Sequence, residues 1–273
     1  PVVWSLRGAV QATAEWTNAP NKNRKRAFEL LAGLLASKRV VLHTTARPEA
    51  EATSRRLKKL KTEIIANSVN IPPQESIANR EWQPNNITRL LYLGRLHEKK
   101  GIDVLLYAMR LVGPQFNLTL IGPGDAQYLR EIKYLAEKLE LTPRVSFRDH
   151  ADGPAKLQAF RDADLFVLPS HSENFGITVA EALSHGVPVV TTKSTPWANL
   201  DRVGCGRCID LSSEQLAHSI DELSSKDLKG MGNLGREWMK REFSPSATNR
   251  EMLRLYRHLA SRNKIERSRE HEK

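Results

Sequence analysis

Residues 165–185 read LFVLPSHSENFGITVAEALSH, and this stretch decides the fold. Leu165–Leu168 is apolar on both faces, as a strand covered by helices on both sides must be. Pro169 ends it, and a helical pattern runs from Gly176 to His185. Outward from here the same strand-then-helix order recurs. Strands are expected at Val40–His43, Glu63–Ala66, Leu90–Leu93, Leu118–Ile121, Val145–Phe147, Val187–Thr191 and Arg207–Asp210. Helices are expected at Arg24–Lys38, Ile102–Val112, Gln127–Leu139 and Pro154–Asp162. Alternation of this regularity predicts an α/β fold with a doubly wound, mainly parallel sheet.

The chain has 273 residues, of which 40% are hydrophobic and 27% charged, which excludes a disordered or fibrous chain. No apolar run approaches the roughly 20 residues that cross a bilayer, and no basic-then-apolar leader is present. Pro1 opens without a methionine and runs straight into Val2-Val3-Trp4, which reads as a start in mid-fold. The net charge of +11 is uneven: residues 1–61 hold 13 bases and 4 acids, whereas residues 62–243 hold 21 and 23. The tail 244–273 holds 8 bases and 4 acids. The basic ends carry no helix-turn-helix, zinc-finger or aromatic RNA-binding signature, so no nucleic-acid partner is expected. A solvated helix face and a binding role both stay open for them.

A break falls near Asn67–Pro84, where Pro72, Pro73 and Pro84 interrupt any apolar periodicity and the chain reads as a linker. Too few strands precede it for an independent sheet, and a nearly complete α/β domain follows to about Glu242. After Pro245 a last helix carries Met252, Leu255, Tyr256 and Leu259 at helical spacing, and Arg262–Lys273 is expected to fray. Cys205 and Cys208 form a lone C-G-R-C without further ligands for zinc, and they read as two incidental cysteines.

In a parallel sheet, ligands bind outside the carboxyl ends of the strands. The turn Gly94-Arg95-Leu96-His97-Glu98-Lys99-Lys100-Gly101 places a guanidinium fork and a mobile ammonium there, a combination suited to a diphosphate. The turn Gly122-Pro123-Gly124-Asp125 lets backbone approach a ligand, with Asp125 as a helix cap. It lacks the third glycine of a dinucleotide fingerprint, and no P-loop occurs. In Pro169-Ser170-His171-Ser172-Glu173-Asn174-Phe175-Gly176, the glycine heads a helix whose free N–H groups favour an anion. Glu173 faces the same cleft, and Glu181 on the second turn reaches ribose-like hydroxyls. An exposed helix glutamate is the plain alternative for Glu181. Ser194-Thr195-Pro196-Trp197 either closes the side of the cleft or packs. Asp162-Ala163-Asp164 has the D-x-D spacing of metal-dependent sugar transferases, but it ends a helix before a buried strand and reads as a cap and turn. No metal is expected.

Together, G-R-x4-K-G, G-P-G-D and P-S-x-x-E-N-F-G-x4-E in this order resemble the donor-nucleotide domain of retaining glycosyltransferases of the two-Rossmann-domain (GT-B) type, family 4, also called group 1. Glu173 and Glu181 fit that family's E-x7-E motif. The resemblance covers residues 90–210 well. It extends weakly to Ser5-Leu6-Arg7-Gly8, to residues 65–70 and to Phe243-Ser244-Pro245.

The resemblance implies an incomplete N-terminal, acceptor-side segment with the interdomain link (1–75), a nucleotide-sugar-binding Rossmann-like domain (76–243), and a crossover helix with a charged tail (244–273). It implies Arg95, Lys100 and Glu173 as catalytic residues. Gly94, Gly122, Gly124, Asn174, Phe175, Gly176, Ile177 and Glu181 would bind the donor, with no metal and no cofactor beyond the nucleotide-sugar substrate. Where the family usually has a glycine after the strand 145–147, Arg148-Asp149-His150 stands here, so the base-recognition loop differs.

The expected activity is transfer of a hexose-type sugar from a nucleoside diphosphate, with retention, to a glycan or lipid-linked acceptor in polysaccharide biosynthesis. The expected location is the cytoplasm, with peripheral contact of the basic helix Asn21–Lys38 to anionic membrane. Two alternatives stand: a non-catalytic nucleotide-sugar-binding module, and a nucleotide-sugar epimerase of the same architecture.

Overall fold

The computed structural model describes residues 2–7, 21–35, 40–77 and 80–271. The chain forms two compact units, residues 1–68 with 245–273, and residues 69–244. Gly8, the expected helix end at residues 36–38 and the last two residues of the tail lie outside the described residues.

In the smaller unit, β1 (Val2–Ser5), β2 (Val40–Thr44) and β3 (Lys61–Ile64) form a parallel sheet in the order β1-β2-β3. Helix α1 (Lys22–Leu35) follows β1, and α2 (Arg47–Arg56) joins β2 to β3. Side chains alternate across β2: Leu42 packs with Leu6, Leu57 and Leu60, while Val41 faces Ile65, Leu255 and Leu259.

The larger unit runs β4 (Thr88–Leu93), α3 (Ile102–Leu111), β5 (Phe116–Ile121), α4 (Ala126–Lys138), β6 (Val145–Arg148), α5 (Gly153–Arg161), β7 (Leu165–Leu168), α6 (Ile177–Ser184), β8 (Val189–Thr192), α7 (Leu200–Val203), β9 (Gly206–Ile209), α8 (Ser213–Ser224) and α9 (Leu228–Trp238). The last helix, α10 (Pro245–His271), belongs to the smaller unit and supplies the Leu255 and Leu259 of its core; Tyr256 is half exposed and takes no part.

The six strands of the larger unit are all parallel, in the order β6-β5-β4-β7-β8-β9. This is the doubly wound, Rossmann-like arrangement, and its central strand β7 is apolar on both faces, with every residue buried. Strand β8 begins two residues later than expected. The Val187 N–H closes the end of α6 by bonding Ala182 O, and Pro188 has no N–H to give a ladder.

Residues 69–87 carry no long element, yet they are fastened to the larger unit rather than hanging as a tether. Val69 N–H donates to Phe243 O at 2.8 Å, and Arg80 donates to Phe160 O, His185 O and Gly186 O. Among the described residues no helix is long and apolar enough to cross a membrane.

Candidate functional site

The order β6-β5-β4-β7-β8-β9 fixes where a ligand can bind. From β4 the chain builds outward to β6, then returns to β7 on the other side of β4, so the loops after β4 and β7 leave adjacent strands in opposite senses. Both motif loops spring from this point. They are stitched together by His171 N–H donating to Lys99 O at 2.9 Å. Gly101, at φ +63°, lies so close to the next loop that a Cβ would stand 2.2 Å from Pro169 O. Only glycine fits there, and its fit lets Lys100 come alongside the loop 169–176.

Lys100 Nζ forms an ion pair with Glu173 Oε1, and the Ser170 hydroxyl donates to the same oxygen at 2.8 Å. The two charged side chains are only 16% and 12% exposed, which strengthens their attraction relative to a surface pair. Beneath them the buried Tyr92 hydroxyl donates to Arg95 O at 2.7 Å. Burial, and then the Glu173 charge, raise the Tyr92 pKa, so the phenol remains a donor. The Arg95 side chain projects from the same loop and is exposed.

The glycine loop after β5 lies beside the one after β4. Gly94 N–H donates to Ile121 O at 3.0 Å, and Leu96 N–H donates to Pro123 O at 2.8 Å. Leu96 and Gly124 extend this as an isolated parallel bridge. Asp125 caps α4, accepting from the backbone of Gln127 and Tyr128.

Helix α6 starts after Gly176, whose φ of +71° turns the loop into the first helical turn. The preceding carbonyl, Phe175 O, accepts the Trp197 indole N–H at 2.6 Å. Trp197 is 2% exposed and packs edge-on against Phe175 and Trp238, bracing the loop 169–176, while the carbonyl of the exposed Ser194 accepts the Glu173 N–H at 3.2 Å. Ile177, at the head of α6, is exposed, and Asn174 is half-buried.

One turn on, Glu181 Oε1 pairs with Lys156 Nζ at 2.6 Å, while Glu181 Oε2 is buried without a hydrogen-bond partner. An acceptor left in that state costs about 1–3 kcal/mol, and structures seldom keep one without reason. The predicted acids are thus both drawn to lysines, but to different ones.

The profile of the family described as "Glycosyl transferases group 1" matches residues 74–238. The chain belongs to the group 1 glycosyltransferases. As a member of that family it is 34% identical over 176 residues to a D-inositol 3-phosphate glycosyltransferase of Segniliparus rotundus, covering 61% of this chain and 39% of that protein. It is 33% identical over 145 residues to a phosphatidyl-myo-inositol mannosyltransferase of Mycobacterium tuberculosis, covering 51% and 37%. The chain therefore spans little more than a third of the curated relatives it matches.

Among solved structures, sucrose-phosphate synthase from Thermosynechococcus elongatus aligns with a TM-score of 0.75 at 26% identity, covering 95% of this chain and 68% of that one. The Anabaena protein HepE, solved in complex with UDP-glucose, aligns at 0.77 and 20% identity, covering 94% and 72%, which shows the shared GT-B fold.

Other residues of this group 1 chain are committed elsewhere. Asp164, fully buried, accepts from Arg89 Nε at 2.9 Å, from Arg89 N at 2.8 Å and from Gln83 N at 3.0 Å. Its lone pairs are used within the fold, and Asp162 accepts from Gln158 at 2.7 Å. Among the described residues no three His, Cys, Asp or Glu side chains group as a metal site. Cys205 is buried and Cys208 sits on β9; burial pushes their thiols up to about 12 and about 11, leaving both protonated. A separate hollow of about 450 Å³, lined by Arg89, Thr119, Arg144, Ser146 and Asp162 among others, contains none of the expected site residues.

The sequence motifs assign no role to Ser170, Lys156 or Tyr92, although Ser170 lies within one of them, three residues before Glu173. Lys156 carries no local signal, because its partner is 25 residues away.

Proposed function

We propose that this chain binds a nucleoside-diphosphate sugar at the carboxyl ends of β4, β5 and β7 and serves the transfer of its hexose-type sugar to an acceptor with retention. The observation that carries the reading is the junction of two motif loops at the switch point, where Lys100, Glu173 and Ser170 meet beside the glycine loop of β5. In this reading Lys100 and Arg95 offset negative charge developing on the departing diphosphate, with the head of α6 aiding through its N–H groups. Glu173 accepts hydroxyls of the transferred sugar, and Glu181 accepts those of the ribose. Gly94, Gly122, Gly124 and residues 174–177 line the path with backbone.

A glycan or lipid-linked acceptor is the companion proposal, supported by a relative named for phosphatidyl-myo-inositol. Helix α1 supports a peripheral contact with anionic membrane: Phe28 is 62% and Leu31 56% exposed, on a helix that also exposes Arg24 and Arg26. Preferential sedimentation with anionic over neutral vesicles tests that contact; equal sedimentation removes it.

Calorimetry with UDP- and GDP-sugars, followed by detection of released or transferred sugar and the anomer formed, tests the main reading. Binding with turnover and retained anomer is expected. Binding without sugar release supports a donor-binding module instead, and no binding removes the reading.

A further inference from the structure

Helices α5 and α6 are joined by successive rungs. Lys156 Nζ meets Glu181 Oε1 at 2.6 Å; one turn later on each helix the Phe160 ring stacks on His185 at 4.6 Å between centroids. Arg80 then ties the two helix ends, donating to Phe160 O and His185 O, each at 2.9 Å. The lower rungs fix the separation and rotation of the helices, so the uppermost rung has little freedom.

Lys156 and Glu181 are 28% and 21% exposed, and only one carboxylate oxygen is engaged. The other, Oε2, is buried and unpartnered. Lys156 takes one carboxylate oxygen and no donor of the described residues meets the second, so the lysine alone sets the direction of the acid.

We propose that Lys156 is a positioning residue for nucleotide recognition: by gripping Glu181 through Oε1 it fixes the side-chain rotamer in which the part-exposed carboxylate meets a sugar hydroxyl of the nucleoside. The inference rests on the reading of Glu181 as the hydroxyl acceptor given above, and it adds a residue that lies outside the motifs. Lys156 acts through Glu181 and does not touch the reacting atoms.

The test is calorimetry of the protein with UDP and GDP and with their 2′-deoxy counterparts, for wild type, Lys156→Met and Lys156→Arg, with circular dichroism to establish folding. For the nucleotide that binds, wild type should favour the ribose form by roughly tenfold. In Lys156→Met the ribose form should weaken by about tenfold and the preference should collapse towards onefold, since the acceptor is no longer aimed. Lys156→Arg should restore most of the preference. A folded Lys156→Met that keeps the ribose preference, or binds more tightly, overturns the inference while leaving the donor site standing. Wild-type protein that binds none of the four nucleotides overturns both.

Discussion

Lys100 and Glu173 come from loops after different strands, yet they share an ion pair whose carboxylate oxygen also receives the Ser170 hydroxyl. Cation and acid are thereby fixed in place before any ligand arrives. In the proposed reading, a diphosphate entering the crevice competes for the ammonium, and the acid it displaces stays beside the sugar, held by Ser170. Pre-set groups of this kind need little reorganisation during a reaction.

Lys100→Met should therefore lower turnover by about 10²–10³-fold in donor-hydrolysis or transfer rates, the scale of losing one preorganised charge donor. Ser170→Ala should reduce it by only about 3–10-fold, as one neutral hydrogen bond to the acid is lost. Equal effects of the two substitutions would contradict the assigned roles.

Gly101→Ala introduces a Cβ at φ +63° and 2.2 Å from Pro169 O. The expected cost is about 2–4 kcal/mol in urea unfolding, from strain and steric displacement together. Gly153→Ala, at φ +45° with nothing within 4 Å of its Cβ, should cost about 1 kcal/mol. The difference between the two measures the contact between the loops.

Asp164 is buried against Arg89, so Asp164→Ala leaves a guanidinium without its partner and should destabilise by about 3–5 kcal/mol. Chelation should not reproduce that loss: EDTA should leave both the melting temperature and nucleotide affinity unchanged. A shift in either on chelation would show that a metal is bound.

His185 is held down to about 4 from an ordinary 6.5, chiefly by burial, with the cations Arg80, Lys156 and Arg236 adding to the effect. As pH falls below about 6.5 the unfolded chain takes up a proton that the folded chain refuses until about 4. Stability should be level above 6.5 and decline by up to about 3 kcal/mol between 6.5 and 4. Urea titrations at several pH values should show this slope in wild type and a shallower one in His185→Gln.

The larger sheet was legible because its strands are apolar runs between breakers. Leu165–Leu168 matched β7 to the residue, and the expected helix ends differed by a residue or so. Strand β8 was misplaced because Pro188 and the closing of α6 cut into an apolar run whose composition gives no hint of either. The capping role of Asp125 could be read from spacing alone, since its acceptor bonds are local. Lys156 and Arg80 could not, because each acts across a long loop of sequence: Arg80 reaches carbonyls about a hundred residues on, and a carbonyl has no sequence signature.

The indole of Trp197 is hydrogen-bonded to the carbonyl just ahead of the α6 head and ringed by Phe175, Trp238 and Phe243. Its excited state therefore senses the local field at that helix tip. Charge arriving there should change the emission of one of only five tryptophans in the chain, giving this protein an intrinsic optical gauge of occupancy without any attached dye.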